Sequence, residues 1–583
     1  MINIKNLSFS FPEKDLYNDI SFSIENGQHC AFMGTSGSGK STLVSMIIDQ
    51  DKYMYDGEIV IDPSVRIGYV KQFYSHDRTN DLTTFEYICK DYINLETQMN
   101  SICKEMETGE NLDQLLIDYQ NILDQMDAFG GADFQSSIDK KINLANLEGI
   151  RNIPISKLSG GEFKLIQIIK ELLHSPELII MDEPDVFLDF ENLNSLKKLI
   201  NGHNGMLLVI THNRFLLNNC FNKIIHLENK QLQEFLGNYT EYNFYLLGSK
   251  VETQELAIAD EEEIERNDNL IDKLRFIASY NPEAARGRAL NARVKIQERL
   301  EERKIQMPFV NIKRPKIEIE TDKILDEDFI LKVDGLTLGF NSELIKAASF
   351  EIKPGEKVAV IGGNGTGKTT LLREINKNHS PNITISENAH IAYVSQSQNE
   401  SLNENNTILN EFFEIGFKKN SEIYSYLENY NFTENKINKL ISTLSGGEKN
   451  TLQIAKVAAS NANLLILDEP SSHLDTYAQV ELEKALKNYN GAILMVSHDY
   501  YTVINTADYI LTIENQEIRK MSMRKFRKMI YNNYFNKDYL LIEDKKKEIE
   551  LRVEEALKEH NFTLAKDLLD PLEELTAKLT NLK

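Results

Sequence analysis

Two glycine-rich loops constrain what this chain can fold into. Gly34-Thr35-Ser36-Gly37-Ser38-Gly39-Lys40-Ser41, followed by Thr42, and Gly362-Gly363-Asn364-Gly365-Thr366-Gly367-Lys368-Thr369, followed by Thr370, both spell GxxxxGK[ST]. Each lies between an apolar, strand-like run (28–33 and 356–361) and a helix-like run that opens on Thr-Leu. In such a loop the glycines let backbone N–H groups curl round the phosphates of a nucleoside triphosphate. The lysine offsets their charge, and the Ser or Thr hydroxyl helps to hold Mg2+. One copy alone is compatible with a glycine-rich turn beside a stray lysine. Two copies with matching flanks predict two nucleotide sites, each at the carboxyl end of a strand in a mainly parallel α/β sheet.

The duplication runs further. Gln72 and Gln396 each follow a strand-like run, Leu-Ser-Gly-Gly-Glu stands at 158–162 and 444–448, Met181-Asp182-Glu183-Pro184 answers Leu467-Asp468-Glu469-Pro470, and Thr211-His212 answers Ser497-His498. The loop lysines are 328 residues apart, but the Leu-Ser-Gly-Gly-Glu motif, the Asp-Glu pair and the His all recur at 286. The first copy therefore carries about 42 extra residues ahead of that motif, most of them after Gln72.

Loop, Gln, signature motif, Asp-Glu pair and His, in this order, resemble the pattern of an ATP-binding cassette. With two cassettes, an insertion in the first and a charged helical linker, the chain closely resembles the ABC-F proteins over nearly its whole length. The resemblance implies two P-loop ATP-binding cassette domains in tandem, α/β in class, joined by an α-helical hairpin. It implies ATP hydrolysis with ATP and Mg2+ as cofactors, and the ribosome, through ribosomal RNA and tRNA, as partner. The expected division is 1–243 for the first cassette with a helical arm at about 80–150, 244–328 for the linker, 329–535 for the second cassette and 536–583 for a C-terminal helical extension.

Roles carry over where residues match. Lys40 and Lys368 neutralise phosphate charge, and Ser41, Thr369, Gln72, Gln396, Asp182 and Asp468 supply the Mg2+ site. Glu183 and Glu469 polarise the attacking water. A lone His is usually structural, but His212 and His498 each come 30 residues after the aspartate, which argues for a γ-phosphate sensor. Phe11 and Phe340 are candidates to stack on adenine by the family pattern, with a core role as the alternative because Phe9 and Tyr17 are close by. The family also implies composite sites, in which Ser445-Gly446-Gly447 completes the first phosphate loop and Ser159-Gly160-Gly161 the second. The protein would then work as a monomer whose two cassettes pair, closed by ATP and opened by hydrolysis.

One departure concerns the loop after the Asp-Glu pair. The second cassette reads Ser471-Ser472-His473-Leu474-Asp475, the first Asp185-Val186-Phe187-Leu188-Asp189, without the Ser-His pair. Both glutamates survive, so two competent but unequal sites are expected.

No window approaches the ~18 uninterrupted apolar residues of a membrane span, and residues 1–5 lack the charged and apolar regions of a signal peptide. A cytoplasmic protein is expected. Cys30, Cys89, Cys103 and Cys220 lack metal-ligand spacing and are expected to be reduced.

The charge balance, 65 Lys and Arg against 89 Asp and Glu, gives −24 and should repel RNA. Locality resolves part of the conflict, because 283–316 holds ten bases, among them Arg286, Arg288, Arg293 and Lys295, against four acids. Asn281 as a cap, Pro282 at the first helical position and Pro308 as a stop predict a helix of about 26 residues, roughly 39 Å long. Its partner arm, about 245–277, keeps Ile264, Ile271 and Leu274 on one stripe, with the turn near Ala278-Ser279-Tyr280. A solvated spacer is the plain reading of such a hairpin; the family implies RNA contact by Arg286, Arg288, Arg293 and Lys295.

The arm is expected to be helical from Leu112, Leu115, Leu116, Tyr119 and Leu123. Lys520, Arg524, Lys525, Arg527 and Lys528 interleave with Phe526, Tyr531, Tyr534 and Phe535, a mix that suits RNA or an amphipathic helix packed on the cassette. Residues 540–583 predict a charged hairpin broken near Asp570-Pro571. Beside the ribosomal ATPase stand two other readings: the ATPase subunit of a membrane transporter, for which the basic hairpin is superfluous, and a DNA-repair or chromosome ATPase, for which the linker is too short and zinc motifs are missing.

Overall fold

The computed structural model describes residues 1–583 except 13, 72–80, 108–110, 130–133, 187, 281–283, 306–313, 324–326, 340–342, 535–538 and 583; at 128, 256–263, 277–280, 284–289, 301–305, 531–534 and 540 it describes the backbone alone. Two α/β bodies of one plan follow each other. In the first, a six-stranded sheet runs Ile67–Val70, Leu178–Asp182, Met206–Ile210, His29–Met33, Lys223–Glu228, Gln231–Leu236, parallel up to the last, antiparallel strand. The second repeats this order with Ile391–Val394, Leu464–Asp468, Ala492–Val496, Lys357–Gly362, Tyr509–Glu514 and Glu517–Ser522.

The central strands are apolar along their length, as in Met206–Ile210 and Ala492–Val496, because both faces are covered. In the first body a three-stranded antiparallel sheet of Ile2–Phe11, Lys14–Ile24 and Asp56–Ile61 covers one face, and helices with the residues after Thr83 cover the other. Each glycine-rich loop leaves a central strand that is paired on both sides, so its backbone N–H groups open into the crevice beyond the sheet.

The insertion forms helices Thr84–Met106, Leu112–Ala128 and Phe134–Leu144. A capping box at Thr83 and Glu86 starts the first, and a small core of Leu95, Ile122 and Met126 joins it to the second, whose Leu112, Leu116 and Ile117 stay exposed.

The linker is a pair of helices, Tyr239–Tyr280 and Ala284–Ile305. The first starts at Tyr239 rather than near Tyr245, because Asn238 Oδ1 accepts hydrogen bonds from the Thr240 and Glu241 amides while Glu241 Oε2 accepts one from Asn238 N. Asn281, Pro282 and Pro308, on which the second helix was bounded, lie outside the described residues. The two helices meet at Ile271 and Leu300 and through Asn267, which donates to the Arg293 carbonyl and to Gln297 Oε1.

The chain after 538 forms three helices, Tyr539–Lys558, Phe562–Asp567 and Leu569–Asn581. The chain turns at His560, with φ 56°, and breaks again at Leu568, two residues ahead of the predicted Asp570-Pro571. Pro571 sits in the first turn of the last helix, where no N–H is needed. Val553, Ala556, Leu557, Ala565 and Leu568 pack on Val251 at the base of the linker. Phe526 and Ile530 are buried in the second cassette, with Arg524, Lys525 and Lys528 exposed beside them, so Met523–Tyr534 is an amphipathic helix packed on the cassette. No helix among the described residues is long and apolar enough to cross a membrane.

Candidate nucleotide sites

Each phosphate loop enters its helix through a left-handed glycine, Gly39 at φ 104° and Gly367 at φ 97°, conformations that a side chain would strain. The next residue is the lysine. Lys40 Nζ donates to the Gly34 and Thr35 carbonyls at 2.8 and 3.0 Å, and Lys368 Nζ to the Gly362 and Gly363 carbonyls at 2.7 and 2.8 Å. Both ammonium groups are buried, which lowers their pKa against the pull of nearby carboxylates, Glu183 first for Lys40 and Glu469 first for Lys368. Two cations held inside loops of backbone N–H groups form cradles for polyphosphate.

The Asp-Glu pairs end the neighbouring strands. Burial lifts Asp182 and Asp468 to about 6; the Ser41 hydroxyl draws the first back down and the Thr369 hydroxyl the second. Neither carboxylate oxygen of Asp468 accepts a hydrogen bond of normal geometry, although both are buried. A buried carboxylate beside a Ser or Thr hydroxyl fits Mg2+, which keeps most of its shell as water and phosphate and takes few protein ligands. Of the predicted Mg2+ residues, Ser41 and Asp182 meet in one site and Thr369, Gln396 and Asp468 line the other, while Gln72 lies outside the described residues.

Glu183 and Glu469 share a left-handed backbone, φ 45° and 52°, and their amides donate at 2.9 Å to Ile210 O and Val496 O at the ends of the next strands. Strain in non-glycine residues at matching positions marks functional geometry. Their environments differ. Burial pushes Glu183 up, but His473, His212 and Lys40 outweigh it and hold the carboxyl below the ordinary range. Burial, with Asp468 adjacent, lifts Glu469 to about 8. Burial keeps His212 and His498 neutral, each near 3, with an unpartnered Nδ1. A neutral imidazole at the end of the strand can donate to a phosphate oxygen or a water.

The two cassettes face each other and complete each other's loops. Ser159 and Ser445 cap the signature helices Gly160–Leu173 and Gly446–Ala458 through capping boxes, so each helix offers its N-terminus to the opposite loop. Ser445 Oγ lies 3.5 Å from Ser36 Oγ, and a side chain at Gly447 would come within 2.6 Å of that same atom. At the other site a side chain at Gly161 would come within 2.8 Å of Asn364 Nδ2. A cavity of about 900 Å³ brings Ser159 and Gly160 together with Lys368, Thr369, Asp468, Glu469 and His498, and a volume of this size accommodates a nucleotide.

Sequence reasoning singled out the loops after the two Asp-Glu pairs without assigning their residues individual contacts across the interface. Ser36 N donates to Asp475 Oδ2 at 3.3 Å, and Asn364 N to Asp189 Oδ2 at 2.9 Å. Each aspartate also caps the helix after it. Their recurrence 286 residues apart was the available signal. His473 also makes such a contact, its Nδ1 3.1 Å from Glu183 Oε2 across the interface. Within the first cassette, Lys14 donates to Gly37 O at 2.6 Å from the hairpin that carries Phe11, which pairs with Lys14 and is 40% exposed. Phe340 lies outside the described residues.

Comparison with known proteins agrees with this geometry. The profile of the family described as "ABC transporter" matches residues 17–186 and 345–472. The chain is 30% identical to the uncharacterized ABC transporter ATP-binding protein YfmM of Bacillus subtilis over 87% of its own length and 97% of that protein. It is 26% identical to ABC transporter F family member 5 of Arabidopsis thaliana, covering 88% and 75%, and 29% identical to the ATP-binding protein Uup of Buchnera aphidicola, covering 87% and 79%. Among solved structures, the archaeal ribosome recycling factor aABCE1, crystallised with ribosomal stalk protein aP1, shares the fold with a TM-score of 0.53 at 17% identity, over 91% of this chain and 92% of that one. Matching motifs in both halves, two parallel sheets and full-length relatives of this kind leave one assignment: the chain belongs to the ATP-binding cassette family and is a tandem-cassette ATP hydrolase of the ABC-F type.

Proposed function

We propose that this chain is a cytoplasmic ATP-driven clamp that binds the ribosome near the tRNA exit site and modulates translation or shields it from antibiotics. Each of two ATP molecules would sit with Mg2+ between one phosphate loop and the opposite signature helix. Lys40 and Lys368 would offset phosphate charge, Ser41, Asp182, Thr369, Asp468 and the two glutamines would hold the cation, and Glu183 and Glu469 would orient the attacking water. The closed, ATP-filled form would bind, and hydrolysis would part the cassettes and release the ribosome.

The observation that carries the reading is the linker. Its second helix turns Leu300 and Gln297 inward and leaves the cations Arg293 and Lys295 exposed on a molecule of net charge −24. Arg293 also donates to Asn267 Oδ1 at 3.3 Å, so part of its role is to join the helices; the side chains of Arg286 and Arg288 lie outside the described residues. The fold neighbour named as a ribosome recycling factor supports the same partner.

The test is a sucrose gradient of lysate containing the Glu183→Gln, Glu469→Gln double variant with ATP. Co-sedimentation with ribosomes, lost on charge reversal of Arg286, Arg288 and Arg293, is expected. Sedimentation with membranes would favour a transporter subunit instead.

A further inference from the structure

We infer that His473 is a positioning residue that acts across the cassette interface: it holds Glu183 for hydrolysis at the first site, and the repeat places a phenylalanine, Phe187, at the matching position for the second. The inference rests on the reading of Glu183 as the water-polarising carboxylate. The contact joins residues 290 positions apart, with His473 Nδ1 3.1 Å from Glu183 Oε2, and both groups are largely withdrawn from solvent. A carboxylate only accepts, so Nδ1–H donates and the ring is fixed as the Nδ1-protonated tautomer or the cation.

Three features make this a built contact. His473 has a left-handed backbone, φ 60°, a strain in a non-glycine residue that persists where surrounding contacts over-determine it. Its ring stands beside Gly446, where a side chain would meet Cγ at 3.7 Å, and its carbonyl would be met at 2.6 Å by a side chain at Gly447. The signature loop that completes the first site therefore braces the imidazole that reaches Glu183. Finally, Asp475, two residues on, accepts from Ser36 N of that same phosphate loop. One short segment of the second cassette thus touches the loop, the signature motif and the water-polarising carboxylate of a single site; the contacts to the loop and the carboxylate cross the interface and form only when the cassettes are closed, whereas the contact to the signature motif lies within the second cassette.

The other site differs. The residue 286 positions before His473 is Phe187, which has no hydrogen to donate. Glu469 Oε2 accepts from its own cassette, from His498 N at 3.2 Å, while Oε1 is buried without a hydrogen bond and lies 3.6 Å from His498 Nε2. Closure therefore orients the glutamate of the first site from the opposite cassette, whereas the second relies on its own strand ends. Hydrolysis at the first site should be the step that senses a fully closed clamp.

The full-length chain tests this with one site silenced at a time. In the Glu469→Gln background, His473→Ala is expected to lower kcat at least ten-fold with less than a two-fold change in KM for ATP, and His473→Asn, which keeps a donor at a similar reach, to restore most of it. In the Glu183→Gln background the same substitution should cost less than three-fold. Phe187→His in the Glu183→Gln background should raise kcat. Equal losses in the two backgrounds, a loss confined to KM, or no rescue by asparagine would overturn the proposal. Glu183→Gln, Glu469→Gln must itself be inactive while binding ATP; if it turned over normally, the reading of Glu183 would fail first, whatever His473 did.

Discussion

His226 Nδ1 lies 2.6 Å from the Tyr242 hydroxyl, joining the last parallel strand of the first cassette to the first turn of the linker. Both side chains are wholly buried. Two residues along that strand, Glu228 accepts from Thr35 N and Oγ1 at 3.2 and 3.1 Å, so the first phosphate loop, the strand and the linker are connected through polar contacts. In the second cassette Thr512, Lys528 and Gly363 stand at the corresponding positions and cannot repeat the path. The first phosphate loop is therefore tied to the linker by a path that the repeat does not provide in the second cassette. Tyr242→Phe leaves His226 buried without this partner and is expected to cost about 1–3 kcal/mol, read by urea denaturation.

The aspartates Asp189 and Asp475 each do two jobs with one carboxylate, capping a helix with Oδ1 and reaching the opposite phosphate loop with Oδ2. Loss of the cap alone costs about 0.5–2 kcal/mol. Replacement by alanine should also weaken the pairing of the cassettes. In the Glu183→Gln, Glu469→Gln background, either alanine variant is expected to reduce the rise in melting temperature produced by saturating ATP. An undiminished rise would mean that these contacts contribute nothing to closure.

The nearest residues in sequence explain what could be read there and what could not. The phosphate loops, signature motifs, Asp-Glu pairs and histidines are short local patterns whose chemistry dictates spacing, and the apolar runs around them fixed the parallel sheets. The Ser36–Asp475 and His473–Glu183 contacts join positions 439 and 290 apart and exist because two folded bodies face each other, which no local periodicity encodes. Pro571 pointed to the break at Leu568 just ahead of it, where a proline in a first helical turn costs nothing, but gave no sign of the earlier turn at His560.

Glu469 supplies a pH signature in the nucleotide-free protein. Its folded pKa, about 8, stands above the ordinary 4.5, so the folded state favours the protonated form. The stability this contributes is fully present below about 4.5 and is lost as pH rises toward 8, as the unfolded chain ionises and the folded one resists. Glu469→Gln removes the titration. The melting temperature of the variant minus that of the parent should therefore increase steadily from pH 5 to pH 8.5, and a difference independent of pH would refute the assignment.

Arg214 of the first cassette is a buried charge paired across the interface. It contacts Glu483 and lies 2.9 Å from Asp499 Oδ2, with its guanidinium over the Tyr501 ring, all three residues belonging to the second cassette. Thr502 and Asn505 donate to the same carboxylates, so the acids are fully engaged. The arrangement is one-sided, since Tyr500 and Lys197 stand where the repeat would place the matching arginine and glutamate. Removing only the cation strands two buried carboxylates, a change that costs about 3–5 kcal/mol, whereas removing a whole buried pair is often nearly neutral. Arg214→Met is therefore expected to destabilise strongly, and Arg214→Met combined with Glu483→Gln to recover much of the loss, as measured by chemical denaturation. Additive losses in the double variant would show that Arg214 and Glu483 are not coupled across the interface.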